Sequence, residues 1–174
     1  MPLTRARLFE VLDYDPKAGI FIWKARFDDV PWTARFAGRV AGSPHNGGYW
    51  AISIDKTKYL AHRLAWLAIY DEWPEKFIDH VNLDKRDNRI NNLRLADFNE
   101  NSLNANIRND NTSGYRGVYF EKRRRRWIAY VQRNGTRKYS GHFMEKEDAV
   151  AVHIEMAQKL YGDFCPEYLR GYGN

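Results

Sequence analysis

The chain of 174 residues is 44% hydrophobic and 15% aromatic, enough for one or two compact cores, which excludes wholesale disorder. Its single cysteine, Cys165, excludes a disulfide framework and a cysteine-built zinc cluster within the chain. The net charge of +6 is concentrated: from Thr112 to His142 nine Lys/Arg stand against one acidic residue, Glu121, while the remainder holds 19 basic and 21 acidic residues, the footprint of a local polyanion contact and not of general solubility. Residues Met1–Arg5 lack a charged-then-apolar signal pattern and no apolar run reaches membrane-spanning length, so a soluble protein of a reducing compartment is expected.

In chain order, Thr4 caps a predicted short helix carrying Leu8, Val11 and Leu12 that stops before Asp15-Pro16 and the Ala18-Gly19 turn. Ile20–Trp23 reads as a strand, Gly38–Gly42 as a short β or turn piece, and His45–Gly48 as a turn. Tyr49 to Ile54 alternates as a strand does, and Asp55–Lys58 turns the chain into Tyr59-Leu60. From Ala61 to Tyr70 the residues Leu64, Ala65, Leu67 and Ala68 follow helical periodicity, ended by Trp73-Pro74. Phe77–His80 is a short apolar strand with two polar side chains at its end, followed by a polar loop from Val81 to Asn92. Leu93-Arg94-Leu95 starts a return segment, and Asp97 caps a helix through about Ile107. The stretch 108–113 is a linker by composition. Three strands follow, near Gly117–Phe120, Trp127–Arg133 and Arg137–Phe143, with Asn134-Gly135 as a hairpin turn and a last helix from about Glu145 to Tyr161.

Cleaving a phosphodiester at neutral pH needs a water, a base to activate it and a cation for the developing charge. Histidine suits the base, and carboxylate and amide oxygens suit a hard cation. Asp79 and His80 at a strand end, Asn92 after the loop and Asn101 on the next helix offer all of these. His62, at the start of its helix, is either a buttress of this site or a packed or capping residue.

The run His62-Arg63-Leu64-Ala65-Trp66, then Ile78-Asp79-His80, then Asp87 to Arg94, then Asn99-Glu100-Asn101 resembles the HNH endonucleases of phages and prophages, similar to homing endonucleases with the ββα-metal fold. The resemblance covers Tyr59 to Asn104 and implies His80 as general base, Asn92 as brace of the loop and orienter of the histidine, and Asp79 and Asn101 as metal ligands. It implies Mg²⁺ as cofactor, with Mn²⁺ able to substitute. Where such proteins commonly have Asp-Gly-Asn, this chain has Asn82-Leu83-Asp84, which calls for a different loop conformation.

Alternation in the second basic strand places Trp127, Ala129 and Val131 on one face and Arg126, Tyr130 and Gln132 on the other; in the third, Arg137 and Tyr139 share a face. A stripe of Ala149, Val152, His153, Met156, Ala157 and Leu160 on the last helix covers the apolar face. Tyr115-Arg116-Gly117-Val118, Trp127-Ile128-Ala129, Gly141-His142-Phe143 and Glu147 to Ala151 resemble the AP2 DNA-binding domain. By position the resemblance puts Arg116, Tyr130, Gln132, Arg137 and Tyr139 on the DNA face, with Arg123, Arg124, Arg125 and Arg126 adding phosphate contacts.

The expected fold class is therefore α+β, a ββα-metal nuclease followed by a three-stranded antiparallel sheet packed on one helix. An N-terminal α+β segment (1–58) leads into the nuclease core (59–107), then the linker (108–113), the AP2-like domain (114–165) and a tail (166–174). The expected function is metal-dependent hydrolysis of double-stranded DNA in the cytoplasm of a bacterium or infected host, with the oligomeric state open and a monomer favoured. The alternative is a non-catalytic, sequence-specific DNA-binding protein on an inactive HNH scaffold.

Overall fold

The computed structural model describes residues 3–97, Glu100 and 111–165. The chain divides into two compact units, Met1–Ala96 and Asp97–Asn174. No helix among the described residues is long and apolar enough to cross a membrane.

In the first unit, helix α1 (Arg5–Val11) starts at Thr4, whose hydroxyl accepts from the Arg7 amide at 3.2 Å. It is shorter than its apolar spacing predicts. Leu12 is extended and opens strand β1 (Leu12–Asp15), which pairs antiparallel with β2 (Ile20–Trp23). The Asp15 carboxylate accepts from the amides of Lys17 and Ala18 and so closes the turn. Helix α2 (Val30–Phe36) is not foreshadowed by periodicity, because it buries no residue; Asp29 caps it and a proline sits in its first turn. Strands β3 (Ser43–Pro44), β4 (Trp50–Ile54) and β5 (Thr57–Leu60) form a sheet in that order, and helix α3 (Ala61–Tyr70) follows directly. Strands β6 (Phe77–His80) and β7 (Leu93–Ala96) form an antiparallel pair joined by the long polar loop.

One core unites these pieces: Leu8, Leu12, Ile52, Ile54 and Leu64 are fully enclosed, with Phe21, Leu67, Ile78 and Leu93 packed among them. Each such side chain contributes about 1.5–3 kcal/mol through removal from water. The N-terminal hairpin also supports the polar loop. The Tyr14 hydroxyl donates to Asn88 O at 2.7 Å, and the Ile90 amide donates to Pro16 O at 3.2 Å. Gly19, at φ +71°, lies so close that a β-carbon there would stand 2.4 Å from the Arg89 amide nitrogen.

After β7 the Asp97 carboxylate accepts from the Glu100 amide while the Glu100 carboxylate accepts from the Asp97 amide, both at 2.8 Å. This reciprocal pair is a helix-starting box. The rest of the helix predicted through Ile107 lies outside the described residues, as do linker positions 108–110 and the tail from 166.

The second unit has strands β8 (Val118–Glu121), β9 (Arg126–Arg133) and β10 (Thr136–Phe143) in the order β10-β9-β8, all antiparallel. Asn134 and Gly135, at φ +51° and +79°, make the two-residue hairpin turn that their chemistry demands. Helix α4 (Lys146–Tyr161) covers one face, burying Ala149, Val150, His153, Ile154 and Ala157 against Val118, Ala129 and Val131. The buried stripe thus includes Val150 and Ile154, beside the predicted Ala149, His153 and Ala157, while Val152 stays half-buried. Helix and sheet are pinned by two polar ties. His153 Nδ1 donates to Tyr130 O at 3.1 Å, and the Tyr161 hydroxyl bonds the backbone of Gln132.

Candidate active site

Strand β6 delivers Asp79 and His80 at its end, opposite Arg94 and Leu93 of β7. Neighbouring residues of a strand point to opposite faces, and these two side chains meet different surroundings although each is only 4% exposed. Arg94 reaches across the strand pair to Asp79, with Nε 2.8 Å and a terminal nitrogen 2.7 Å from Oδ2. Charge balance by this guanidinium is what makes a buried carboxylate tolerable.

The His80 ring lies beside Asn88, with Nε2 3.4 Å from Oδ1 of that amide. Asn88 Nδ2 donates to Arg86 O at 3.0 Å, so its oxygen faces the histidine as an acceptor. A proton on Nε2 is the tautomer that suits this contact. Burial pushes this imidazole below its ordinary value, opposed by the Asn88 hydrogen bond and by the carboxylates of Asp79, Asp84 and Asp87. At neutral pH the ring is uncharged, the form that accepts a proton.

Asn92 works one step away from the histidine. Its Oδ1 accepts from the Asn82 amide at 3.0 Å and its Nδ2 donates to Asp87 O at 2.8 Å, which ties the start of the loop to its far limb. Asn82 Nδ2 donates to the Asp87 carboxylate at 2.7 Å, and the Asp84 side chain accepts from the Arg86 amide at 2.9 Å. Leu83 stands at φ +66°, the left-handed backbone that glycine favours. A side chain in that conformation costs of order 1–2 kcal/mol, offset by the hydrogen bonds around it.

Asn101 lies outside the described residues, and Asp79 stands buried at the strand end with its Oδ2 held by Arg94. No cluster of three or more His, Cys, Asp or Glu forms a metal cage among the described residues. Sequence reasoning missed Asn88, which is 2% exposed and touches the His80 ring directly. Its place inside the Asp87-Asn88-Arg89 run was a signal, but an asparagine in a polar loop reads first as turn chemistry. Tyr49 was also missed; its ring centroid lies 6.1 Å from that of His80, and Lys85 Nζ sits 4.9 Å over it.

In the second unit the face of the sheet away from α4 carries a row of tyrosines, one from each strand. Tyr119 and Tyr130 have ring centroids 6.1 Å apart, and Tyr130 and Tyr139 5.6 Å apart. The Arg137 guanidinium lies 4.8 Å from the Tyr130 ring centre and donates to Gln132 Oε1 at 3.0 Å. Tyr130, Gln132, Arg137 and Tyr139 are thus brought together, as strand register demands. Arg123, Arg124 and Arg125 are exposed in the β8–β9 turn, with Arg124 3.3 Å from the Glu121 carboxylate, and Arg126 opens β9. Arg116 is exposed just before β8.

Comparison with known proteins places this geometry. Residues 59–103, from β5 past β7, match the family described as HNH endonuclease. Protein 3.8 of Escherichia phage T7 is 30% identical over 105 residues, which are 60% of this chain and 86% of that protein. An uncharacterized HNH endonuclease, L560, of Acanthamoeba polyphaga mimivirus is 29% identical over 116 residues, 66% of this chain and 59% of the relative. No solved structure matches. With Asp79 and His80 at the strand end and the asparagine-braced loop between, residues 59–103 are an HNH endonuclease domain, and the chain belongs to one family with Protein 3.8 of phage T7.

Proposed function

We propose that the chain is a divalent-metal-dependent DNA endonuclease whose second unit, an AP2-like sheet, holds it on double-stranded DNA. The observation that carries the reading is a buried, uncharged histidine, His80, next to a buried carboxylate, Asp79, inside the family-matched segment. His80 Nδ1 takes the proton of a water as its oxygen bonds to phosphorus and the bond to the 3′ oxygen breaks. The products carry a 3′-hydroxyl and a 5′-phosphate. Asn88 holds the ring in the required tautomer, and Asn92 holds the loop that carries Asn88. HNH nucleases generally depend on a divalent metal, and a carboxylate with an amide oxygen fits a hard cation such as Mg²⁺, which keeps several waters and takes one or two carboxylates. Asp79 and Asn101 hold this cation, with Mn²⁺ able to substitute. When bound, it stabilises the negative charge developing on the 3′ leaving oxygen.

The nuclease core spans 59–107, the linker 108–113 and the DNA-binding domain 114–165. Arg116, Arg123, Arg124, Arg125, Arg126, Tyr130, Gln132, Arg137 and Tyr139 form the DNA-contacting surface of a protein acting in the cytoplasm. Support comes from the concentration of arginines on one turn and of tyrosines, Arg137 and Gln132 on the face that α4 leaves open.

Incubating duplex DNA with the full chain and Mg²⁺ is expected to give ends that a 3′-hydroxyl-dependent ligase reseals, and excess chelator is expected to stop cutting. Cutting that is unaffected by chelation overturns the metal assignment. Replacing Arg116 and Arg137 by alanine should weaken DNA binding roughly 10-fold, with the slope of log affinity against log salt flattened by about two units. Unchanged affinity in that double variant would exclude this sheet face as the DNA contact.

A further inference from the structure

The polar loop between β6 and β7 presents, beside the base, a cation to which nothing above assigns a role. Lys85 is exposed, yet its side chain is held from two sides. Its Nζ donates to Gly47 O at 2.9 Å, across 38 positions of chain, and sits 4.9 Å over the Tyr49 ring. The centroid of that same ring lies 6.1 Å from the centroid of His80. The turn before β4 thereby fixes an ammonium one aromatic ring away from the base.

An exposed lysine ordinarily stays loose, because ordering its long stem costs rotamer entropy that a single solvent contact does not offset. Here a carbonyl and a ring face order it together, the second through a cation–π contact. An ammonium has three donors, and the Gly47 carbonyl takes one of them, which leaves two for a ligand. The neighbouring guanidiniums are committed differently: Arg94 balances Asp79, and Arg89 pairs with Asp87. Lys85 makes no ion pair with a carboxylate among the described residues. A DNA strand that brings a phosphate to His80 also meets the charges of Asp79, Asp84 and Asp87. A fixed, outward-facing cation beside the base offsets that repulsion.

We propose that Lys85 grips a backbone phosphate of the strand being cut, held ready for it by Tyr49 and the Gly47 carbonyl. The inference rests on the nuclease reading above and adds to it a substrate contact made by the first unit. Two substitutions in the full chain separate charge from packing. Lys85→Met keeps an unbranched stem over Tyr49 and removes the charge, whereas Lys85→Arg keeps the charge.

In duplex titrations with chelator present, the methionine variant is expected to flatten the slope of log affinity against log salt by about one unit. The arginine variant is expected to restore it. With Mg²⁺, methionine should raise KM about 10-fold and leave kcat within about twofold, as loss of a contact made equally before and during the reaction does. Duplexes carrying one uncharged methylphosphonate near the mapped cut supply the partner half of the test. At one position the neutral linkage should weaken wild-type binding and leave the methionine variant unaffected. An unchanged salt slope, an arginine variant no better than methionine, or losses that add at every position would each overturn the inference. A lysine that merely ties loop to turn would instead lower the melting temperature of the methionine variant and spare the slope. Failure of the nuclease reading looks different: the wild type then cuts no DNA, while the salt slopes, read without cleavage, still report on the phosphate contact.

Discussion

His80→Ala is expected to abolish DNA cleavage, lowering the single-turnover rate by about 10²–10⁴-fold, the range a positioned general base supplies. DNA affinity should stay within about twofold, because the residue is enclosed between β6, α3 and the loop and is not part of the exposed arginine surface. Burial lowers the basicity of this imidazole so that it is uncharged at neutral pH, and its Nε2 lies beside Asn88 Oδ1. Alanine removes the ring and leaves Asp79 and its Arg94 partner in place. The measurement is a rapid-quench assay on labelled duplex, run beside an equilibrium binding titration. Cleavage by the alanine variant at the wild-type rate would remove His80 from the mechanism. A wild type that binds duplex DNA but never cuts it would favour the non-catalytic, DNA-binding alternative.

Gly117→Ala should be the most damaging small substitution in the second unit, with an expected loss of about 3 kcal/mol or more, the sum of strained backbone and overpacking. Gly117 stands at φ +90° immediately before β8, and a β-carbon there would lie 2.3 Å from Tyr130 O and 2.8 Å from His153 Cε1. The carbonyl is fixed: it accepts from His153, while the Tyr130 amide donates to Gly117 O at 2.8 Å. Relief would mean parting β8 from β9 and lifting α4. Gly135→Ala supplies the control. That residue also has positive φ, +79°, but open space around it, so its cost should be only about 1 kcal/mol. Thermal unfolding of both variants should show loss of the transition of the second unit for Gly117→Ala, and of DNA affinity with it. Equal melting of the two variants would mean that the close approach at Gly117 does not hold the unit together.

Together these tests bear on the two halves of the proposed division of labour. In these two variants, a defect in chemistry without a defect in binding belongs to the first unit, and the reverse to the second.

The sequence alone determined those features whose causes lie within a few residues. Thr4 caps its helix, Asp97 and Glu100 close their box, and Asn134-Gly135 turns the hairpin because each interaction is local. The strand ending in Asp79 and His80 was legible for the same reason, as was the sharing of one face by Arg137 and Tyr139. The tertiary structure decided what depends on partners distant along the chain. It set Asn88, held from 74 positions away by Tyr14, against the His80 ring, and left Asn92 to brace the loop. Tertiary packing also stood His62 edge-on to the base, pressed Gly19 on the loop backbone, and kept Leu83 left-handed without a glycine. The physical reason is one of range: caps and turns are satisfied by neighbouring backbone, whereas the orientation of a buried side chain is set by whichever distant elements the common core brings against it.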